Sequence, residues 1–234
     1  MIKAVMFDFW GTLITGIVTE KTLERADKIA YRYLKKQGYD LSYKDYQKRR
    51  DEAFERYQEH AAKGIHLRPE EGLKRFMFYG LDAKIRDVRK IIYLNERYDC
   101  NIKFRKGCKD VLRELKKRNY KIALVSNSWL GHGQYWLKKE KLDKYFDAII
   151  LSCDAGIAKP DKRIFELAAK KLKVPLSECV FVGDKHDSDI QGAHDAGIKC
   201  KIAIEPFKKK HNLAPPTAIV KNLADILLII DSLS

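Results

Sequence analysis

Ala4-Val5-Met6-Phe7-Asp8-Phe9-Trp10-Gly11-Thr12-Leu13 is the stretch on which the reading of this chain turns. A short apolar run ends on a carboxylate, and Gly11-Thr12 follows closely. That order suits a buried strand delivering Asp8 to the carboxyl edge of a parallel sheet, where open α/β sheets place their ligands. Three later stretches have the same character. Val125-Ser126-Asn127-Ser128 closes an apolar run, Lys159-Pro160 precedes a helical pattern, and Val182-Gly183-Asp184 is followed five residues later by Asp189. Each sits where a strand ends or a helix begins, so all four can converge on one pocket.

Between Thr19 and Asp99 the apolar spacing is helical. Leu23, Ala26, Ala30, Tyr33 and Leu34 form one stripe. Tyr43, Tyr46, Ala53, Phe54, Tyr57 and Ala61 form a second, with Ser42 as its N-cap. A third helix is expected from Pro69, with Glu70 and Glu71 in its first turn, and a fourth through Ile85, Val88, Ile92 and Asn95. After Lys106-Gly107 strands and helices alternate to a terminal helix over 223–232, the pattern of a parallel sheet covered on both faces. The expected fold is α/β: a Rossmann-like core over 1–16 and 104–234, with an α-helical cap inserted over 17–103.

The 234 residues are 45% hydrophobic, enough for a sizeable core, and no run is long enough for a membrane-spanning helix. The chain enters its first strand directly, which leaves no room for a signal peptide, so a cytoplasmic location is expected. Cys100, Cys108, Cys153, Cys179 and Cys200 include no Cys-x-x-Cys pair, so neither a disulfide framework nor a zinc site is indicated. The net charge of +15 is spread along helices that also carry Asp and Glu. A solvated basic surface attracting a small anionic metabolite is favoured over nucleic-acid binding. A monomer or homodimer is expected, with no membrane partner.

Together the four stretches resemble the haloacid dehalogenase superfamily of hydrolases, across nearly the full chain. The resemblance implies that Asp8 is a nucleophile forming a covalent aspartyl ester. It assigns Thr12 a hydrogen bond near the transferred group. Ser126, with the backbone amides of Asn127 and Ser128, would bind an anionic oxygen, and Lys159 would neutralise crowded negative charge. It implies Mg²⁺ on Asp8, the backbone carbonyl of Trp10 and Asp184, with Asp189 helping through water or contacts to those ligands. Asp187 is expected to face solvent.

One residue departs from the phosphatase pattern: Trp10 stands where most of those enzymes carry a second aspartate. Dehalogenases of the superfamily carry an aromatic residue there, a serine where this chain has Asp184, and a tyrosine where it has Phe165. The first motif is therefore dehalogenase-like and the last phosphatase-like. Three functions stay open: a Mg²⁺-dependent phosphatase of a small phosphorylated metabolite, a metal-independent 2-haloacid dehalogenase, and a non-catalytic phospho-ligand-binding protein. The last motif carries more weight, because Trp10 offers its carbonyl whatever its side chain. His186 is read as a solvent-exposed loop residue that a missing acid–base group would otherwise recruit, and His132 is treated alike.

Overall fold

Six strands form a parallel sheet in the computed structural model, which describes residues 1–98, 101–128 and 133–233. The strands are β1 (Ala4–Phe7), β4 (Lys121–Ser126), β5 (Ala148–Leu151), β6 (Cys179–Gly183), β7 (Cys200–Ile204) and β8 (Ala218–Val220). Their spatial order is β5-β4-β1-β6-β7-β8. The chain runs outward from β1 through β4 to β5, then returns to the other side of β1 for β6, β7 and β8. That reversal puts the topological switch at β1, and the crevice beyond its carboxyl end is where such sheets bind ligands.

The alternation along β1 shows why both faces must be covered. Val5 and Phe7 join Ile122, Leu124, Val180 and Val182 beneath α5 (Cys108–Lys117) and α10 (Asp225–Ser232). Ala4 and Met6 join Ala123, Val125 and Phe181 beneath α8 (Lys162–Leu172). Short helices α6 (Gln134–Lys139), α7 (Ser152–Ala155) and α9 (Gly192–Asp195) complete the core. The α10 run, apolar all round in sequence, buries Ile226 and Ile230 and turns Leu228 outward.

The inserted segment forms α1 (Glu20–Lys36), α2 (Tyr43–Ala62), α3 (Pro69–Phe76) and α4 (Ile85–Tyr98). These helices close on a hydrophobic cluster of their own that includes Leu34, Tyr46, Leu73, Phe76, Val88 and Ile91. Ser42 caps α2 as expected, within a capping box completed by Asp45. Phe54 and Ile85, placed on the buried faces by spacing, are 46% and 44% exposed. The antiparallel ribbon joining insert to core was not anticipated: β2 (Ile14–Ile17) pairs with β3 (Asn101–Phe104). Both expected junctions, at 16/17 and 103/104, lie within it. Four-residue strands with mixed exposure leave little periodicity to read.

Among the acids buried in the cap, Asp87 is held by hydroxyls alone at hydrogen-bond distance. Asp87 is 1% exposed and accepts hydrogen bonds from the hydroxyls of Tyr33 (2.6 Å) and Tyr39 (2.9 Å). Burial alone would raise its pKa, but the two hydroxyls and the Arg86 charge outweigh burial and hold it below the usual carboxylate value. The interaction therefore contributes above the unfolded-state pKa of about 4 and is lost as pH falls through the lower folded value. Asp87→Asn replaces one acceptor oxygen with a donor facing a hydroxyl and is expected to lower stability by roughly 2–3 kcal/mol. Urea unfolding at neutral pH checks this, and the difference from wild type should shrink on acidification.

Candidate functional site

Asp8 follows β1 immediately, and its N–H donates to the carbonyl of Val182 (2.9 Å), extending the ladder to β6. Its carboxylate is nearly buried, and Lys159 Nζ donates to its Oδ1 (2.6 Å). The same ammonium donates to Asp189 Oδ1 (2.6 Å). The other oxygen of Asp189 accepts the backbone N–H groups of Asp184 (3.1 Å) and Lys185 (2.9 Å). Asp189 thus fixes the loop that carries Asp184. A π-helical turn spans His186–Gln191 before α9, and aims Asp189 back at the strand end.

Carboxylate oxygens of Asp8, Asp184 and Asp189 lie within 4.8 Å of one another, the cluster suited to a metal ion among the described residues. Thr12 Oγ donates to Asp184 Oδ1 at 3.5 Å, a weak bond. Gly11, at φ +84°, crosses so close to Asp184 that a Cβ there would collide with the carboxylate. Its carbonyl accepts from Arg105 Nε (3.0 Å), and the Arg105 N–H donates to Leu13 O (2.9 Å). Arg105 was missed in sequence. It sits next to the ribbon and braces the turn after Asp8, and no motif marks it.

Ser126, at the end of β4, buries an Oγ that has no hydrogen-bond partner in the structure. An unpaired buried hydroxyl is costly unless a ligand completes it. Asn127 clamps the lysine segment: its side chain donates to Lys159 O (2.9 Å) and accepts from Lys159 N (2.9 Å). The Ser128 amide, expected to face an anion, instead donates to Ser152 Oγ (2.9 Å). That expectation is corrected, because a hydroxyl from α7, a helix the sequence did not reveal, already occupies the donor.

His186 is also corrected. It is 2% exposed, not a solvent-facing loop residue; its Nδ1 accepts the Lys210 N–H (2.7 Å) and its Nε2 lies 2.8 Å from the Ala214 carbonyl. Those partners tie it to the 207–214 loop, so no proton-transfer role follows. Asp187 is exposed and pairs with Lys210 (2.7 Å). Phe165 is buried edge-on against Phe181 (5.0 Å between ring centres) in the core. His132 and Cys100 lie outside the described residues.

Trp10 packs against the ribbon and the core cluster. Its indole lies over Gly16 of β2, where a Cβ would come within 2.6 Å of the ring, and meets Phe9 edge-on at 6.4 Å. The ring therefore fills the corner where ribbon and core meet.

The electrostatics favour a cation. Burial raises the pKa of Asp8; Lys159 opposes this, while Asp189 and Asp184 add to it. Asp184 is raised by burial and then by Asp189. Burial lowers Lys159, but Asp189 and Asp8 more than restore it, so it stays charged. One ammonium facing three carboxylates leaves an anionic site of hard oxygen donors, and the residues present fit Mg²⁺.

A model of the haloacid dehalogenase-like hydrolase family matches residues 2–197. The chain belongs to that family. It is 29% identical over 203 residues to a glyceraldehyde 3-phosphate phosphatase of Methanopyrus kandleri, spanning 85% of this chain and 82% of that protein. Its fold matches a 2-haloacid dehalogenase from Pseudomonas syringae at TM-score 0.75 and 21% identity, over the whole of both chains. A HAD phosphatase from Thermococcus onnurineus matches at TM-score 0.63 and 23% identity, over 98% of each. At such identities the two structures speak for the fold alone. No helix among the described residues is long and apolar enough to cross a membrane.

Lys159→Met leaves two buried carboxylates without their counter-charge, and breaking such a buried network costs about 3–5 kcal/mol. Asp8, already raised by burial, then takes up a proton still more readily, so the loss should be largest near pH 8 and smaller near pH 5.5, where its protonation removes the repulsion. Chemical denaturation of the metal-free protein at the two pH values checks the sign.

Proposed function

We propose that this hydrolase is a Mg²⁺-dependent phosphatase of a small phosphorylated metabolite, working through an aspartyl-phosphate on Asp8. The observation that carries this reading is the three-carboxylate cluster of Asp8, Asp184 and Asp189. A metal-independent displacement gains nothing from Asp184 in that cluster, whereas a hard cation requires it. The Methanopyrus relative is named for action on a small phosphate ester, which agrees.

Asp8 and Asp184, with the Trp10 carbonyl, would hold Mg²⁺, which supplies charge neutralisation for phosphoryl oxygens when bound. Asp189 is committed through both oxygens to Lys159 and the Asp184–Lys185 amides, so its part is to orient the others. The Asp8 carboxylate attacks phosphorus, an oxygen–phosphorus bond forms, and the bond to the leaving oxygen breaks with its electron pair. Lys159 counters the charge gathered at Asp8, and Ser126 donates its unpaired hydroxyl to a phosphoryl oxygen. Water then attacks the aspartyl-phosphate, releasing inorganic phosphate and restoring Asp8. The helical cap shelters that intermediate between the two steps. The net charge of +15 attracts an anionic substrate. The chain works in the cytoplasm in this reading.

Trp10 sets the rate. No carboxylic acid stands there to protonate the leaving oxygen, a contribution typically worth 10² to 10⁴ in rate. Trp10 is also the feature that favours the dehalogenase reading, since a departing halide needs no proton.

Assays of p-nitrophenyl phosphate and of a 2-haloacid, each with Mg²⁺ and with EDTA, separate the readings. Phosphatase activity lost in EDTA is expected, together with its abolition by Asp8→Asn. Halide release that survives EDTA would make the chain a dehalogenase. In Trp10→Asp, turnover of phosphate esters with poor leaving groups is expected to rise most. Stability must be followed alongside, because removing a packed Trp costs roughly 3–5 kcal/mol. A folded, Mg²⁺-binding variant with no gain on any ester would show that position 10 does not limit the reaction.

A further inference from the structure

Glu96 breaks a local rule. It lies in the last turn of α4, where a negative charge opposes the helix dipole, yet it is only 7% exposed. Its Oε1 accepts two backbone N–H groups of the core, from Gly133 (2.9 Å) and Tyr135 (2.6 Å). Its backbone carbonyl accepts from the Trp136 indole Nε1–H (3.0 Å). The first amides of α6 have no side-chain cap of their own, and this cap-borne carboxylate satisfies them. Tyr93 of α4 meets Tyr135 edge-on beside it (5.6 Å).

Gly133 has a second contact that gives the first a consequence. Its Cα lies against the Phe9 ring so closely that a Cβ would collide with ring carbons, and its φ is +115°. Phe9 follows Asp8 directly. A carboxylate on the cap, the peptide at Gly133 and the turn holding Asp8 are therefore stacked in contact.

We propose that Glu96 is a positioning residue for the hydrolytic site: it latches the cap onto the start of α6 and thereby presses Gly133 against Phe9, setting the pose of Asp8. When the cap swings away, the two amides lose their acceptor and the Phe9 turn loses its backing. The Asp8 carboxylate is then in its working position only while the cap is closed. This makes water exclusion and nucleophile placement one event. It rests on the phosphatase reading for its effect on turnover, and on geometry alone for the latch.

The test compares Glu96→Ala with Glu96→Gln, whose amide oxygen can still accept both N–H groups. Three readouts are taken: p-nitrophenyl phosphate kinetics with Mg²⁺, Mg²⁺ affinity by calorimetry, and hydrogen exchange at the amides of Gly133 and Tyr135. Glu96→Ala is expected to lose protection at both amides and to bind Mg²⁺ several-fold more weakly. Its kcat should fall on the order of 10- to 100-fold, the scale of a small misplacement of a reacting group, with a lesser change in KM. Glu96→Gln is expected to restore most of all three. Lost protection with unchanged Mg²⁺ affinity and kcat would show that the latch does not reach Asp8. Retained protection in Glu96→Ala would show that there is no latch. If wild type hydrolyses no phosphate ester, the phosphatase reading falls, while exchange and Mg²⁺ affinity still decide the latch.

Discussion

A single buried ammonium organises this site. Lys159 Nζ donates at 2.6 Å to both Asp8 and Asp189, groups 151 and 30 residues away in sequence. Without it, the buried carboxylates of Asp8 and Asp189 would repel one another with no counter-charge between them. With it, each acid is held by one oxygen in a defined direction. The lysine is itself held by its backbone, because Asn127 pairs with both its N–H and its carbonyl. The flexible end of the side chain is thus fixed at its root, which lowers the entropy lost on ordering it. Still, one positive charge does not balance three negative ones, and that residue of negative charge makes a divalent cation a fitting occupant.

The strand order makes this meeting possible. Because β1 lies between β4 and β6, the ends of those three strands are adjacent, and Asp8, Ser126 and Asp184 arrive side by side without long loops. The cap enters the chain through the β2–β3 ribbon immediately after the Asp8 turn. Any change in its pose is therefore felt first at Phe9, Trp10 and Gly11.

Much of this was legible in the sequence because the relevant signals are local. Apolar runs ending on Asp8, Ser126 and Asp184 identify buried parallel strands and the edge at which they stop, and helical spacing from Leu23 onward sets the insert apart. Other features depend on partners distant in sequence. The ribbon strands are four residues long, so their pairing is stabilised by each other and not by a pattern. His186 looks like an exposed loop residue until Lys210 and Ala214 close over it. The Ser128 amide looks available until α7 supplies Ser152. Arg105 and Glu96 are two charged residues among many, and only the fold shows that each grips backbone beside the Asp8 turn.

Trp10 and Gly16 depend on each other. The indole occupies the space that any side chain at position 16 would need, so the ring and the glycine are mutually required at the base of the ribbon. In the proposed reading, position 10 contributes its carbonyl to the cation and its ring to the joint between core and cap. A carboxylate there would serve proton transfer but leave the joint unfilled. The first motif has therefore given up a chemical group and gained a packing contact at the place where the cap is attached. Glu96, at the end of α4 just before β3, ties the same cap to α6. The Trp10 ring against Gly16 and the Glu96 carboxylate on the Gly133 and Tyr135 amides both lie near the ribbon end of the cap, so in the proposed reading its attachment is reinforced close to Phe9 and the Asp8 turn.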